Sequence, residues 1–200
     1  ALCAQGALVA YWDFNDEVID ESAGDDVGIF ADLGDQAGTA EVIFNYAGGG
    51  GSSNFAIDSS GTDLNAEPGV TAGKRVDRQR GSRWNGGPAT FSFDASTALG
   101  IEMSFAAFAD SNGVQEYQVS YSTDYSLEEP AFTNLGTSQA IASEWETEFV
   151  SLGNVLDGSS NAAIRLTFDG GNSGRTWAKS AAAFLDNMNV TAISIIPEPS

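Results

Sequence analysis

The sequence predicts an all-β protein in which two antiparallel sheets pack face to face. Apolar and polar side chains alternate over short runs, and this two-residue period is typical of strands that turn one face to a core. Glycine, asparagine, aspartate and serine separate the runs, and no apolar stripe with helical spacing persists for three turns. We therefore expect a sandwich of about nine or ten strands.

The first half of the chain contributes two clear strand patterns. Their alternating positions are Leu8, Ala10, Trp12 and Phe14 in the first, and Val42, Phe44 and Tyr46 in the second. The glycine and serine run over residues 48–53 follows and has the composition of a flexible linker. Too few strands precede it for an independent core, so it predicts a loop within one domain.

The second half repeats the pattern more regularly. The alternating sets are Phe91 and Phe93; Ile101, Met103 and Phe105; Tyr117, Val119, Tyr121 and Thr123; Trp145, Thr147 and Phe149; Ile164, Leu166 and Phe168; and Phe184, Asp186, Met188 and Val190. Each set fits a strand of five to seven residues with one buried face. The turn signals between them favour hairpin connections over crossover helices.

Length and composition predict a single folded domain over residues 8–195. A chain of 200 residues with 42% hydrophobic content can bury roughly 70% of its unfolded surface without a disulfide. Cys3 is the only cysteine, so no internal disulfide can form. Residues 1–7 are mostly small, typical of the end of a signal peptide or of an N-terminal extension. No run of 18 apolar residues occurs, so we expect no membrane span in this chain.

The charge of the chain excludes two classes of partner. With 28 acidic and 8 basic side chains, the net charge is -20, which repels nucleic acid and anionic lipid. Such a surface can attract divalent cations in a saline or calcium-containing exterior. The alternative is that the acidity serves only solubility.

Basic residues concentrate in one short segment, which predicts a docking patch. Five of the eight lie within ten residues and are followed by a tryptophan: Lys74, Arg75, Arg78, Arg80, Arg83 and Trp84. The patch could receive an acidic face of another copy, or Trp84 could stack on a sugar together with the arginines. Pairing with local carboxylates such as Asp77 would instead make it an internal clamp. Trp177 and Tyr125 are further candidates for sugar stacking.

The sequence offers little for catalysis, and we expect no enzyme. The chain contains no histidine. This excludes catalytic triads in which histidine activates a serine or cysteine, and it excludes the commonest zinc ligand. Glu144, Glu146 and Glu148 alternate around Trp145, and paired carboxylates ~5 Å apart serve retaining glycosidases. A solvated strand face explains that row equally simply.

The C-terminal residues carry a family resemblance. Ile196-Pro197-Glu198-Pro199-Ser200 resembles the start of a PEP-CTERM sorting tail, which bacteria with an exosortase use for exported surface proteins. The resemblance makes Pro197, Glu198 and Pro199 a remnant of a sorting motif in residues 196–200 and implies a secreted or cell-surface protein. The apolar span and basic end of that family do not follow, so we expect a processed or trimmed product. Alternatively, the prolines simply end a strand.

A second resemblance covers most of the chain. Tyr11-Trp12-Asp13-Phe14-Asn15, Gln118-Val119-Ser120-Tyr121-Ser122-Thr123-Asp124 and Phe184-Leu185-Asp186-Asn187-Met188-Asn189-Val190-Thr191 resemble the jelly-roll domains of secreted bacterial surface proteins. These domains are similar to carbohydrate-binding modules and lectin-like sandwiches. The resemblance implies an antiparallel jelly-roll β-sandwich whose first and last strands pair.

Asp186 is the candidate metal ligand that follows from this resemblance. Strict alternation places its carboxylate on the inward face with Phe184 and Met188, where an unpaired charge is costly. In similar modules the matching aspartate helps to hold a structural calcium, and the oxygen ligands implied here are Asp13, Asn15 and Asp16. Hydrogen bonds from backbone amides or a buried arginine would neutralise it equally well.

Two functions remain from the sequence. The first is a structural protein of the cell surface or extracellular matrix that self-associates, for example into a filament in which residues 4–14 add to the sheet of a neighbour. The second is a glycan-binding module for an extracellular polysaccharide. The sequence favours the first, because no cluster of aromatic residues indicates a sugar platform.

Overall fold

The structure is a computed structural model that describes residues 6–15, 27–44, 55–58, 61–71, 73, 75–79, 88–109, 116–126, 128–169 and 182–196. In chain order its strands are β1 (Ala7–Trp12), β2 (Val27–Phe30), β3 (Glu41–Phe44), β4 (Phe55–Asp58), β5 (Arg75–Gln79), β6 (Pro88–Phe93), β7 (Ala98–Ala109), β8 (Glu116–Ser122), β9 (Thr133–Asn134), β10 (Gln139–Ala140), β11 (Glu146–Gly153), β12 (Ala162–Asp169) and β13 (Ala182–Ile195). The described residues contain no helix, and so none that could cross a membrane.

The strands form two antiparallel sheets. Sheet A has the order β11-β7-β13-β5-β4, with β1 also paired to β13. Sheet B has the order β10-β8-β12-β6-β3-β2, with β9 also paired to β8. The predicted fold class, an all-β antiparallel jelly-roll sandwich, is confirmed. The described residues form thirteen named strands, more than the predicted nine or ten, and part of the difference is β9 and β10, whose two residues each are too few to leave an alternating pattern.

One core fills the space between the sheets. The alternating residues predicted for several strands are members of it: Ala10, Trp12, Phe14, Val42, Phe44, Phe91, Phe93, Ile101, Met103, Phe105, Tyr117, Val119, Ile164, Leu166 and Phe168. Rings from opposite sheets meet edge to face, with centroids 5.3 Å apart both for Trp12 and Phe91 and for Phe105 and Tyr117. Such contacts favour one packing arrangement of the two layers.

The first and last strands pair, as the jelly-roll resemblance implies. β1 lies antiparallel to β13, with Trp12 opposite Met188 and Ala7 opposite Ala192. In this structure β1 therefore pairs with a strand of its own chain. Pairing within the chain is the alternative to donation of this strand to a neighbour. Exchange between copies stays a prediction.

The predicted side-chain direction in β13 is wrong at Asp186. The register of β13 against β7 shifts between Asp186 and Asn189, and Asn187 adopts a left-handed conformation with φ 48°. This bulge changes the alternation, since Leu185 before it and Met188 after it both enter the core. Asp186 therefore lies on the outer side of sheet A.

The predicted direction of β11 is also wrong. Val150 and Leu152 are buried, whereas Phe149 is 79% exposed. Glu148 shares the inward direction of Val150, and its Oε2 accepts a hydrogen bond of 3.0 Å from the Tyr117 hydroxyl. Val150 and Leu152 are two apolar residues in one alternating set, whereas Phe149 shares its set with Thr147 and Ser151, so the buried pair decides the direction of this edge strand and Phe149 lies outside.

Candidate functional site

A groove of about 720 Å³ lies at one end of sheet B. The chain segments that build it are the β2–β3 loop, the end of β6 with the turn after it, the turn after β8, and the residues before β12. Its lining consists of Asp35, Gln36, Thr39, Glu41, Ser92, Phe93, Asp94, Ser96, Thr97, Tyr125, Ser126, Ser160, Asn161 and Ala162. Loops at one end of a rigid sandwich are a common position for a binding site.

One wall of the groove is fixed by a reciprocal amide contact. The Gln36 side chain donates from Nε2 to the backbone oxygen of Asp94, and its Oε1 accepts from the Asp94 amide at 2.7 Å. The Asp94 carboxylate accepts a further hydrogen bond of 2.7 Å from the Ser96 amide. The β2–β3 loop is thus tied to the β6–β7 turn, and the polar atoms of this wall are held in place.

The opposite wall carries the only described aromatic side chain that sequence reasoning had proposed for sugar binding. The Tyr125 amide donates to the Asn161 oxygen at 2.8 Å, which ties the turn after β8 to the start of β12. The Tyr125 ring meets Phe132 edge to face, with centroids 6.1 Å apart. Tyr125 therefore lines the groove from a supported position.

The groove is hydrophilic and acidic. Asp35, Glu41 and Asp94 bring three carboxylates to it, while Gln36 and Asn161 bring amides. No lysine or arginine belongs to its described lining. Carboxylates accept hydrogen bonds and amides both donate and accept, so this lining suits a ligand with many hydroxyl groups.

A second polar cluster lies on the outer side of sheet A at the β13 bulge. Asp186 is 1% exposed, and its carboxylate accepts hydrogen bonds from the backbone amides of Thr62 at 2.7 Å and Asn187 at 2.9 Å. Charge-assisted hydrogen bonds of this kind offset the loss of water around a buried carboxylate. They are one of the alternatives to calcium that the sequence left open.

Asn187 connects this cluster to the first strand and to the loop after β4. Its Oδ1 accepts from the Tyr11 hydroxyl at 2.6 Å, and its Nδ2 donates to the backbone oxygens of Thr62 at 2.5 Å and Leu64 at 3.0 Å. Its backbone oxygen accepts from Asn65 Nδ2 at 2.6 Å. These contacts hold residues 61–71 against sheet A.

The other predicted calcium ligands lie near the end of β1. The Asp13 carboxylate accepts from the Asn15 amide at 2.8 Å, and Asn15 Nδ2 donates to the Thr71 oxygen at 3.3 Å. Asp16 lies outside the described residues. Within the described chain, no three acidic or cysteine side chains come together as a metal site. Calcium binding by Asp13, Asn15, Asp16 and Asp186 stays a prediction.

Most of the predicted docking patch lies beyond what the structure describes. Arg75 and Arg78 belong to β5, between β4 and β13 in sheet A, and only their backbone is described. The residues of the sequence predictions outside the described part are Lys74, Arg80, Arg83, Trp84, Trp177, Pro197, Glu198 and Pro199. Their roles stay predictions.

Sequence reasoning missed Gln36, Asp94 and Asn161, which shape the groove, and Arg165 beside it. Arg165 is the only lysine or arginine with a described side chain, and it interrupts the apolar alternation of β12 between Ile164 and Leu166 as an ordinary outward residue would. Its position in the middle of a strand, outside the basic segment over residues 74–83, was the available signal. The three groove residues come from loops with no recognisable motif.

Comparisons with known proteins support the fold. No protein-family model and no curated protein match the sequence. Among solved structures, the K2 cleaved adhesin domain of Lys-gingipain has a TM-score of 0.50 at 14% identity, over 90% of this chain and 98% of that one. The K1 cleaved adhesin domain from Porphyromonas gingivalis W83 gives 0.49 at 15%, over 91% and 96%. The CBM22-1 xylan-binding domain from Paenibacillus barcinonensis Xyn10C gives 0.48 at 9%, over 94% and 96%. At such identities the likeness concerns the fold alone.

Proposed function

We propose that this chain is a glycan-binding β-sandwich module of a secreted or cell-surface bacterial protein, and that the groove at the end of sheet B is its binding site. The observation that carries the proposal is the combination of three carboxylates, two amides and a supported tyrosine in one groove. Pockets of 300–1,000 Å³ are typical for small ligands, and about 720 Å³ is room for a short oligosaccharide.

The chemistry of the groove matches a sugar in two ways. Asp35 and Glu41 can accept hydrogen bonds from ligand hydroxyls, and such charge-assisted bonds are stronger than neutral ones. Tyr125 offers an apolar ring with a polar tip, the kind of side chain that contributes most to many binding sites. Because Gln36 already holds this wall in place, the protein loses less conformational entropy when a ligand binds against it.

The test is binding of neutral oligosaccharides of four to six units, measured by calorimetry on the whole chain. We expect a member of such a panel to bind, and Tyr125→Ala to weaken that binding about tenfold, which corresponds to about 1.4 kcal/mol. Phe149→Ala is the matched control, since Phe149 is an exposed aromatic residue in the other sheet. It should leave the affinity unchanged.

Either of two results would refute the proposal. One is the absence of binding to every member of a broad panel of neutral and acidic glycans. The other is a glycan that binds wild type and Tyr125→Ala equally while Phe149→Ala weakens it, because the ligand would then lie on sheet A.

Self-association is a second candidate function, favoured by one feature of sheet A. Phe149 is 79% exposed in β11, which pairs only with β7 among the described strands. An edge strand with an exposed aromatic side chain can pair with another chain. We propose no symmetry for such an assembly.

Sedimentation over a range of concentration, ionic strength and calcium tests this candidate. Self-association through β11 predicts an oligomer that Phe149→Ser weakens at least tenfold, because a large buried apolar contact is lost. Chains that stay monomeric under every condition would exclude it.

A further inference from the structure

Arg165 occupies the middle of the outer face of sheet B, directly beside the groove. In register, Arg165 lies between Ser120 of β8 and Thr90 of β6. Two residues earlier in β12, Ala163 lies opposite Ser92, which lines the groove. Side chains two residues apart in a strand point the same way and lie about 7 Å apart. The side chain of Arg165 therefore lies next to that of Ala163, which is opposite a residue of the groove lining.

Two contacts hold the guanidinium in place. Its Nε donates to Thr90 Oγ1 at 3.2 Å, and its Cζ lies 3.5 Å from the centre of the Phe132 ring. Phe132 in turn contacts Tyr125, the aromatic residue of the groove wall. Arg165 is thus fixed from one edge and one face, on the same side as the groove aromatic.

The terminal nitrogens of Arg165 have no acidic partner within the described chain. To the part of the chain that the structure describes, Arg165 donates one hydrogen bond, from Nε to Thr90. Burial lowers the pKa of Arg165, yet a guanidinium remains charged at any neutral pH. A half-buried cation without a counterion is unfavourable, and its two terminal nitrogens have the spacing that binds a carboxylate through two hydrogen bonds.

We propose that Arg165 binds the carboxylate of an acidic sugar, so that the glycan taken by this module contains a uronic acid. This inference rests on the proposed glycan-binding function and names its ligand class. The acidic unit would lie at the terminal nitrogens of Arg165, and neighbouring units would place their hydroxyls against the carboxylates of the groove. The site therefore selects a chain that combines acidic and hydroxyl-rich positions.

The net charge of -20 opposes any anionic ligand at long range, and this determines the conditions of the test. At 0.15 M salt such repulsion is screened beyond about 8 Å, whereas a contact pair in a partly buried site is screened much less. Binding of an acidic glycan should therefore be measured at that ionic strength. At low salt the association is expected to be slower.

The experiment compares two ligands with the same sugar backbone, a hexamer of galacturonic acid and its methyl ester, in which each carboxylate is replaced by a neutral ester group. We expect wild type to bind the acid at least tenfold more tightly than the ester. Arg165→Gln should bind both ligands equally, because it removes the cation. Arg165→Lys should retain only part of the preference, since it keeps the charge and loses the two-pronged geometry. Thermal unfolding of each variant checks that the sandwich is intact.

A measurement on wild type alone covers the case in which Arg165→Gln fails to fold. The Nε–Hε resonance of Arg165, in isotope-labelled protein, should shift on addition of the acid hexamer and not on addition of its ester. Equal responses to the two ligands would overturn the inference.

The remaining outcomes separate this inference from the proposed function. Binding of neutral oligosaccharides through Tyr125 with no preference for the acid would overturn the role of Arg165 and leave glycan binding intact. No binding of any glycan would refute both. A sulfated galactan that binds while the acid hexamer does not would overturn the carboxylate assignment. A preference for the acid that survives in Arg165→Gln would place the acidic unit elsewhere.

Discussion

Each sheet holds a charged side chain on its outer face that is partly or wholly withdrawn from water, but among the described residues only the one on sheet A has hydrogen-bond partners for its terminal charged atoms. On sheet A, the Asp186 carboxylate accepts two backbone amides, and the neighbouring Asn187 joins β1, β13 and the loop over residues 61–71. On sheet B, the Arg165 guanidinium has one hydrogen bond and one aromatic contact. The contrast separates a structural cluster from a site that is open to a ligand.

The contrast depends on whether the chain or a ligand supplies the hydrogen-bond partners of the buried polar group. A buried polar group without a hydrogen-bond partner makes a fold less stable, so most such groups are paired. Where the chain supplies the partners, as at Asn187, the contacts fix a loop onto a sheet. Where it supplies only some of them, as at Arg165, a ligand can gain binding energy by supplying the rest.

The largest effect that we predict is on the sheet A cluster. Asn187→Ala removes an acceptor of the Tyr11 hydroxyl and a donor to two backbone oxygens, and it places alanine at φ 48°. Unsatisfied buried groups cost about 1–3 kcal/mol each, and backbone strain adds to this. We expect the free energy of unfolding in urea to fall by about 3 kcal/mol or more.

Two variants sharpen this prediction. Asn187→Gly removes the same side-chain hydrogen bonds but tolerates the left-handed conformation, so a smaller loss for the glycine variant than for the alanine variant would indicate backbone strain, even though glycine makes the unfolded chain more flexible. Arg165→Gln should lower the free energy of unfolding by about 1 kcal/mol or less, because the loss of one hydrogen bond to Thr90 and of a cation–π contact is offset in part by the removal of a half-buried charge. Equal losses for Asn187→Ala and Arg165→Gln would contradict the distinction between the two faces.

Much of the core was predictable because its signal is local. Phe91, Ile101 and Leu166 lie in uninterrupted strands, where the two-residue period of the sequence is the two-residue period of the sheet. The pairing of the first and last strands followed from a resemblance and not from the pattern itself. The directions that failed, at Asp186 and Phe149, lie at a bulge and in an edge strand.

These failures have physical causes that a single sequence does not display. The bulge in β13 depends on hydrogen bonds from residues 61–71, more than 100 positions away. In β11, the burial of Val150 and Leu152 outweighs that of Phe149, although aromatic residues usually favour a core. Non-local contacts decide both cases.

The groove was less predictable than the core. Its lining comes from segments as far apart as Asp35 and Asn161, and no motif links them. Tyr125 was identified by residue type alone, and its place in the groove required the fold. Arg165 attracted no attention in the sequence because its significance lies in the partners it lacks, which only the structure displays.

We predict a smaller effect on the pH dependence of stability, caused by one buried tyrosine in each sheet. Burial, followed by nearby carboxylates, raises the pKa of Tyr11 and of Tyr117 above the usual value. Below about pH 10 both tyrosines keep their protons folded and unfolded. Above it the unfolded chain loses them first, so the free energy of unfolding should fall as pH rises.

Tyr11→Phe and Tyr117→Phe separate the contributions of the two sheets. At pH 7, Tyr117→Phe should lower the free energy of unfolding by about 1 kcal/mol, because the hydrogen bond to Glu148 is lost. Between pH 9 and 11, urea unfolding of each variant should depend less on pH than that of wild type, and the double variant least. A double variant with the slope of wild type would mean that neither hydroxyl holds its proton more tightly in the folded chain. That result would contradict the buried hydrogen bond from the Tyr11 hydroxyl to Asn187 in the sheet A cluster.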